Sequence, residues 1–206
     1  MPRRRRPGAE EGRADPLLKY GTLPLRLFLG ATFVYAGVQK LSDPGFLAPG
    51  SPTYIGTQLE AYSAHSPLGP LLRSVAIPLG PLTGAAVIAA ELVIGALVLA
   101  GLYTRRAALA GAALNFLLFL TATWQVQPYF LGSDTVYAVA WITLALVGDQ
   151  GVFSVQPRWD AWYHADGPED EPDEGRRRFL LGLGGVAVAL VWVLALLPRT
   201  PTRAHL

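Results

Sequence analysis

The chain has 206 residues, 51% of them hydrophobic, and a formal net charge of +2, with a mean hydropathy of +0.33. That composition is unusual for a soluble domain and is expected of a chain living largely in lipid. The lack of cysteine excludes disulfides, thiolate ligands and a cysteine nucleophile.

Residues 1–20 form a basic lead carrying Arg3, Arg4, Arg5, Arg6, Arg13 and Lys19. We read the arginine run as a topology anchor on a cytoplasmic, disordered segment rather than as a nucleic-acid tail, so no nucleic-acid partner is expected. The apolar run that follows is too long and too continuous for a cleavable signal peptide. At about 20 residues per helical crossing, Leu23 to Leu41 predicts the first crossing. Gly30 and Gly37 lie on one face of it, where small residues permit close helix approach. Arg26 shares that face, and two readings stay open for it. It snorkels to cytoplasmic phosphates, or it partners a buried carboxylate or an anionic ligand.

From Ser42 to about Gly80 the pattern changes to turn chemistry, SDPGFLAPGSP, and then to apolar anchors mixed with single polar groups. One or two short helices at an outer interface are expected there, serving either as a cap over a bundle mouth or as a lipid-surface anchor. Tyr54, Gln58 and Tyr62 recur at four-residue spacing in this segment.

The second crossing, Leu79 to Leu102, contains Glu91, the only charged side chain between Leu82 and Leu102. A carboxylate at that depth is costly unless protein surrounds it, and Gly84, Ile88 and Gly95 share its face. A third crossing, Ala107 to Trp124, follows Arg105 and Arg106. Its stripe of Ala108, Gly111, Ala112 and Asn115 aims a second polar group inward, and Trp124 and Tyr129 mark the outer interface.

The fourth crossing is Val136 to Val147 extended into its flanks. Asp134 or Thr135 can cap its start, or Asp134 gathers protons or substrate at the outer mouth. Tyr137 and Trp141 continue the Asp134 face, and Trp141 is deep enough to pack against a neighbour or a flat ligand. After Asp149 the periodicity is lost, and DGPEDEPDEG makes residues 151–177 an acidic cytoplasmic linker. A fifth crossing, residues 178–198, and a short outer tail, 199–206, complete the expected layout. Arg176 and Arg177 before Phe179 and Leu180 look like a twin-arginine export signal. Gly175 stands where such signals carry Ser or Thr, however, and no small-residue cleavage site follows, so we favour a positive-inside flank.

Twelve Lys and Arg residues fall on the inner side of this layout and four, Lys40, Arg73, Arg199 and Arg203, on the outer side. The asymmetry predicts a multi-pass protein of the cell membrane with the N-terminus cytoplasmic and the C-terminus outside. The fold class is thus an all-α integral membrane protein, a four-helix transmembrane bundle over residues 21–150 plus a C-terminal fifth helix. His65, His164 and His205 lie outside every crossing, so no pair of them holds a haem within the membrane. No bound cofactor or metal is expected, and electrons, if they pass, travel on a diffusible carrier or on a partner's cofactor.

Arg26, Glu91 and Asn115 are the candidate catalytic residues, with Tyr137, Trp141 and Asp134 as candidate substrate or quinone-binding residues nearer the outside. Desolvation disfavours a charged carboxylate unless Arg26 or another donor offsets it. Such a group can exchange protons with a quinone or quinol while Asn and Tyr hydrogen-bond the ring carbonyls. The same groups also fit a proton-coupled transporter with a midplane site, or a structural hydrogen bond that fixes helix register.

Three stretches, RLFLGATFVYAGVQKLSDPGF, ELVIGALVLAGLYTRRAAL and NFLLFLTATWQVQPYFLGSDTVYAVAW, resemble the DoxX/DoxD family of small membrane proteins. The likeness is particularly to the DoxD-like small subunit of thiosulfate:quinone oxidoreductase and covers about residues 22–150. The resemblance implies a compact four-helix core in a membrane redox complex that oxidises thiosulfate to tetrathionate and passes electrons to a membrane quinone. It also implies a partner subunit carrying redox or substrate chemistry, and is compatible with a homo-oligomer. Family-like positions are Arg26, Gly30, Gly37, Lys40, Glu91, Gly95, Arg105, Asn115, Asp134 and Tyr137. The leading reading is a membrane subunit of a quinone-linked oxidoreductase in which Glu91 handles protons. The alternatives are a noncatalytic scaffold of a redox or stress-defence complex and a small proton-coupled transporter.

Overall fold

A computed structural model describes residues 17–163, and these are all-helical, with no strand among them. The basic lead up to residue 16, residues 164–177 of the acidic linker, the fifth crossing, the outer tail, His164 and His205 lie outside the described residues.

A single 3₁₀ turn, Leu18–Tyr20, precedes helix α1, Leu23–Ser42, whose first turn holds Pro24, where the missing N–H has no intrahelical acceptor to lose. Helix α2, Ile55–Ser63, is followed by a single turn, α3, Gly69–Leu71, that runs into a π-helical turn, Leu72–Ala76. Helix α4, Gly80–Ala100, stops at Gly101, whose φ of +67° suits a residue without Cβ. Helices α5, Thr104–Thr121, α6, Ser133–Val147, and α7, Gln156–Tyr163, complete the described chain. The four long apolar runs of the sequence thus became α1, α4, α5 and α6. Residues 42–80, expected as an outer segment, formed short helices, and α7 stands where the sequence shows no periodicity.

Among the described residues two helices are long and apolar enough to cross a membrane, α1 with its preceding turn and α4. Helix α6 is apolar but has 15 residues, about 22 Å of rise against a hydrocarbon core of about 30 Å. The helices pack as a ring, α1 on α4, α4 on α5, α5 on α6 and α6 on α1.

The α1–α4 seam is a close approach lined by glycine. A Cβ on Gly95 would stand 2.8 Å from the Gly30 carbonyl oxygen and 2.8 Å from the Val34 backbone nitrogen. Across the ring, Gly111 of α5 receives the indole of Trp141, to which an added Cβ would come within 2.6 Å. Two apolar clusters result. One fills the bundle with Leu29, Phe33, Ile94, Val98, Ala108, Trp141 and Leu144. The other joins the outer segment to α4 through Phe46, Ile55, Leu59, Leu72 and Ile88. The outer segment is therefore a cap packed on the first half of α4, where Gly84 lies against the side chains of Leu47, Ile55 and Phe46. Ser66 Oγ donates to the Leu120 carbonyl at 2.7 Å and ties that cap to the end of α5.

Candidate functional site

Glu91 is 5% exposed, and its partner comes from the last turn of α1. Lys40 Nζ donates to Glu91 Oε1 at 2.8 Å and to Oε2 at 2.9 Å. A third contact, to the Ala36 carbonyl at 3.4 Å, steadies the ammonium against its own helix. Both carboxylate oxygens are thus engaged by one cation, which removes the main objection to a charge at this depth. Glu91 lies halfway along α4 but level with the end of α1, because α4 continues past α1 into the cap. Its position is therefore the junction of bundle and cap, under the Phe46–Ile88 cluster. The Lys40 side chain is 27% accessible against 6% for Glu91, so the cation links the buried carboxylate to the protein surface.

Arg26, expected as one candidate partner for a carboxylate, does not reach Glu91. It is buried near the opposite end of α1, where Nη1 donates to the Val152 carbonyl at 2.7 Å and Nη2 to the Phe153 carbonyl at 3.0 Å. Asp149 Oδ2 lies 3.8 Å from Nη1. The guanidinium fork suits this multiple recognition of carbonyls and carboxylate better than an ammonium would. Around it, Ser154 Oγ donates to the Gly101 carbonyl at 2.6 Å and the Val155 N–H to Ala100 at 2.9 Å, so the segment after α6 is laced to the α4–α5 turn.

Asn115 is buried on the small-residue stripe of α5, as its spacing indicates, and its Nδ2 donates back to the Gly111 carbonyl at 3.1 Å. Trp141 is fully buried between Gly111 and the ring of Phe33, whose centroid lies 4.6 Å away in an edge-on arrangement. Its Nε1 has no hydrogen-bond partner among the described residues. Asp134 falls inside the first turn of α6, where the helix dipole favours an anion. The cap position is Gly132, and no side chain bonds across it. Thr135 Oγ1 donates instead to the carbonyls of Gly132 and Tyr129, at 3.0 and 3.2 Å. Tyr137 is half-buried and stacks on Phe28 at 5.9 Å between ring centroids.

The structure therefore brings Glu91 to Lys40 and separates both from Arg26. Lys40 carried no assigned role in the sequence beyond its family-like position. The signal that could have found it was the cation closing the same glycine-lined face, Gly30, Gly37 and Lys40, that faces Gly95 and Glu91. Among the described residues no group of three His, Asp or Glu side chains is arranged to hold a metal ion.

Described residues that are all helical, with two helices among them apolar enough to span a bilayer and a carboxylate–ammonium pair enclosed between those two helices, have the build of an integral membrane protein. The family model described as "TQO small subunit DoxD" matches residues 21–155, well over half of the sequence, and the chain belongs to the DoxD family. No curated protein and no solved structure matches it.

Proposed function

We propose that the protein is the membrane subunit of a thiosulfate:quinone oxidoreductase, in which the Glu91–Lys40 pair handles protons beside a quinone site. The observation that carries the reading is a carboxylate enclosed by protein and joined to a partly accessible ammonium, in a chain of the DoxD family. Two thiosulfates joined through sulfur release two electrons, and a quinone that accepts them needs two protons to become a quinol. The electrons come through a partner subunit, since this chain supplies no cysteine and the reading gives it no cofactor of its own. The protons pass by way of Glu91, with Lys40 holding the carboxylate in place and connecting it to the cap. At the start of α6, Tyr137 would donate its hydroxyl to a ring carbonyl, and Asp134 would accept from a hydroxyl of the quinol. In this reading Arg26 and Asn115 hold helices and loops in position, and Trp141 packs the wall behind the site.

The test is thiosulfate-dependent reduction of a quinone analogue by membranes containing the complete complex. Glu91→Gln should lower the rate at least about tenfold, which is about 1.4 kcal/mol of barrier, while the variant still copurifies with its partners at wild-type yield. Unchanged electron transfer in Glu91→Gln would leave the protein a scaffold. Unchanged thiosulfate oxidation after deletion of the whole chain would remove the substrate assignment.

A further inference from the structure

At the end of the molecule away from Glu91, a cavity of about 400 Å³ is lined by Gly101, Tyr103, Thr104, Arg105, Arg106, Asp149, Gln156 and Asp160. Its volume lies within the range of about 300–1,000 Å³ found for small-molecule sites, and its charges are sorted. On one side stands the start of the 18-residue helix α5, bearing Arg105 and Arg106 in its first turn, where the N–H of the cap residue Tyr103 donates to Gln156 Oε1 at 2.7 Å and the N–H groups of the first turn beyond it take no side-chain cap. Free N–H groups at a helix start together with guanidinium forks form an anion receptor. Among the described residues neither arginine lies within 4 Å of a carboxylate: Arg105 Nη2 donates to the Val147 carbonyl at 3.2 Å, and Arg106 lies over the Tyr103 ring at 5.5 Å. Thr104, at the same helix start and 5% exposed, lines the cavity too, and its Oγ1 is buried without a hydrogen-bond partner among the described residues.

On the other side stand two carboxylates. Asp149 is shared with Arg26 at 3.8 Å and accepts from the Gly151 N–H at 3.2 Å. Asp160 accepts through Oδ1 from Gln156 Nε2 at 2.6 Å, which leaves its second oxygen for a further donor. Phe153, whose carbonyl accepts from Arg26, and Trp162, on the same short helix as Gln156 and Asp160, are 76% and 73% exposed, and that helix also carries Arg158 and Trp159. Exposed aromatic rings among arginines at the end of an apolar bundle are the composition of a membrane–water boundary.

We propose that this cavity binds a phosphoethanolamine group, supplied by a phosphatidylethanolamine of the adjoining leaflet. The phosphate sits on the start of α5 with Arg105 and Arg106, the primary ammonium donates to Asp160, and Phe153 and Trp162 meet the glycerol and upper acyl region. A quaternary ammonium has no N–H to give Asp160, and a glycerol headgroup has no cation, so the two acids make the site selective among phospholipids.

The experiment titrates the full chain in mild detergent with short-chain phosphatidylethanolamine, phosphatidylcholine and phosphatidylglycerol, and with water-soluble phosphoethanolamine, reading bound ligand by native mass spectrometry. Phosphatidylethanolamine should bind about tenfold more tightly than the other three, a difference of about 1.4 kcal/mol. Arg106→Gln, whose native side chain makes no hydrogen bond among the described residues, should weaken all phospholipids, and Asp160→Asn should erase the preference for ethanolamine. Equal binding of the three phospholipids, or unchanged binding in Arg106→Gln, overturns the proposal. Phosphoethanolamine binding as tightly as its lipid overturns the lipid source. Binding that appears only after Glu169→Gln, Asp170→Asn and Glu171→Gln are combined would assign the cavity to the chain's own acidic run and overturn it as well.

Discussion

Helix α1 carries a cation near each end, and the two are used differently. Arg26 is 1% accessible and spends its fork on two backbone carbonyls and one carboxylate. Lys40 is 27% accessible and spends its ammonium on both oxygens of a single buried carboxylate. Guanidinium stays protonated in proteins, and a sealed guanidinium bonded to carbonyls can only hold structure. In the proposed reading, the ammonium–carboxylate pair, with one partner partly accessible, parts, rejoins and trades a proton. The same helix is thus fastened at one end and left exchangeable at the other.

Removing the fastening should have the largest effect. Arg26→Met leaves the Val152 and Phe153 carbonyls and Asp149 without their donor, and breaking a buried pair of this kind costs about 3–5 kcal/mol. The expected outcome is a lower unfolding midpoint in detergent together with new protease cleavage between residues 149 and 156; wild-type resistance in that segment would show that the fastening is not Arg26. Next comes the seam between the two ends. Gly95→Val forces α1 and α4 apart at a backbone-to-backbone contact, for a loss of about 1–3 kcal/mol, measured by thermal unfolding.

At the exchangeable end the two partners should be unequal. Lys40→Met leaves a buried carboxylate with no donor and costs about 1–3 kcal/mol, whereas Glu91→Gln keeps an acceptor for Lys40 and costs about 1 kcal/mol or less. Equal losses in the two variants, measured by denaturant unfolding of each, would reduce the pair to a plain structural bridge. The smallest effect belongs to the exposed contact in which Trp159 Nε1 donates to Tyr103 Oη at 2.9 Å. Tyr103→Phe should change stability by less than about 0.5 kcal/mol, and a larger loss would mean that the fastened end depends on α7 as well as on Arg26.

Much of the helical layout was legible in the sequence because a bilayer demands long apolar runs, and Leu23–Ser42 and Gly80–Ala100 fall within two residues of where those runs lie. Glu91 was legible for the complementary reason, a charge where none is tolerated without protein around it. Its partner was not, because pairing across antiparallel helices depends on how far α4 overshoots α1, and the length of that overshoot is set by the cap. Arg26 stood on the glycine face with Lys40, so periodicity alone offered two cations for one acid. Only the segment after α6, whose carbonyls carry no side-chain signature, decided between them. Helix α7 was invisible since its eight residues, QPRWDAWY, are too short and too mixed in polarity to show a period.

The bond from Arg26 to the Val152 carbonyl spans 126 positions of the chain. A ribosome delivering this protein into a bilayer releases the arginine long before its acceptors exist, so the first helix must wait with an unmet cation while the three further long helices, α4, α5 and α6, are made. Synthesis of residues 149–153 supplies the acceptors of that helix's arginine, so a chain halted earlier leaves the guanidinium without them.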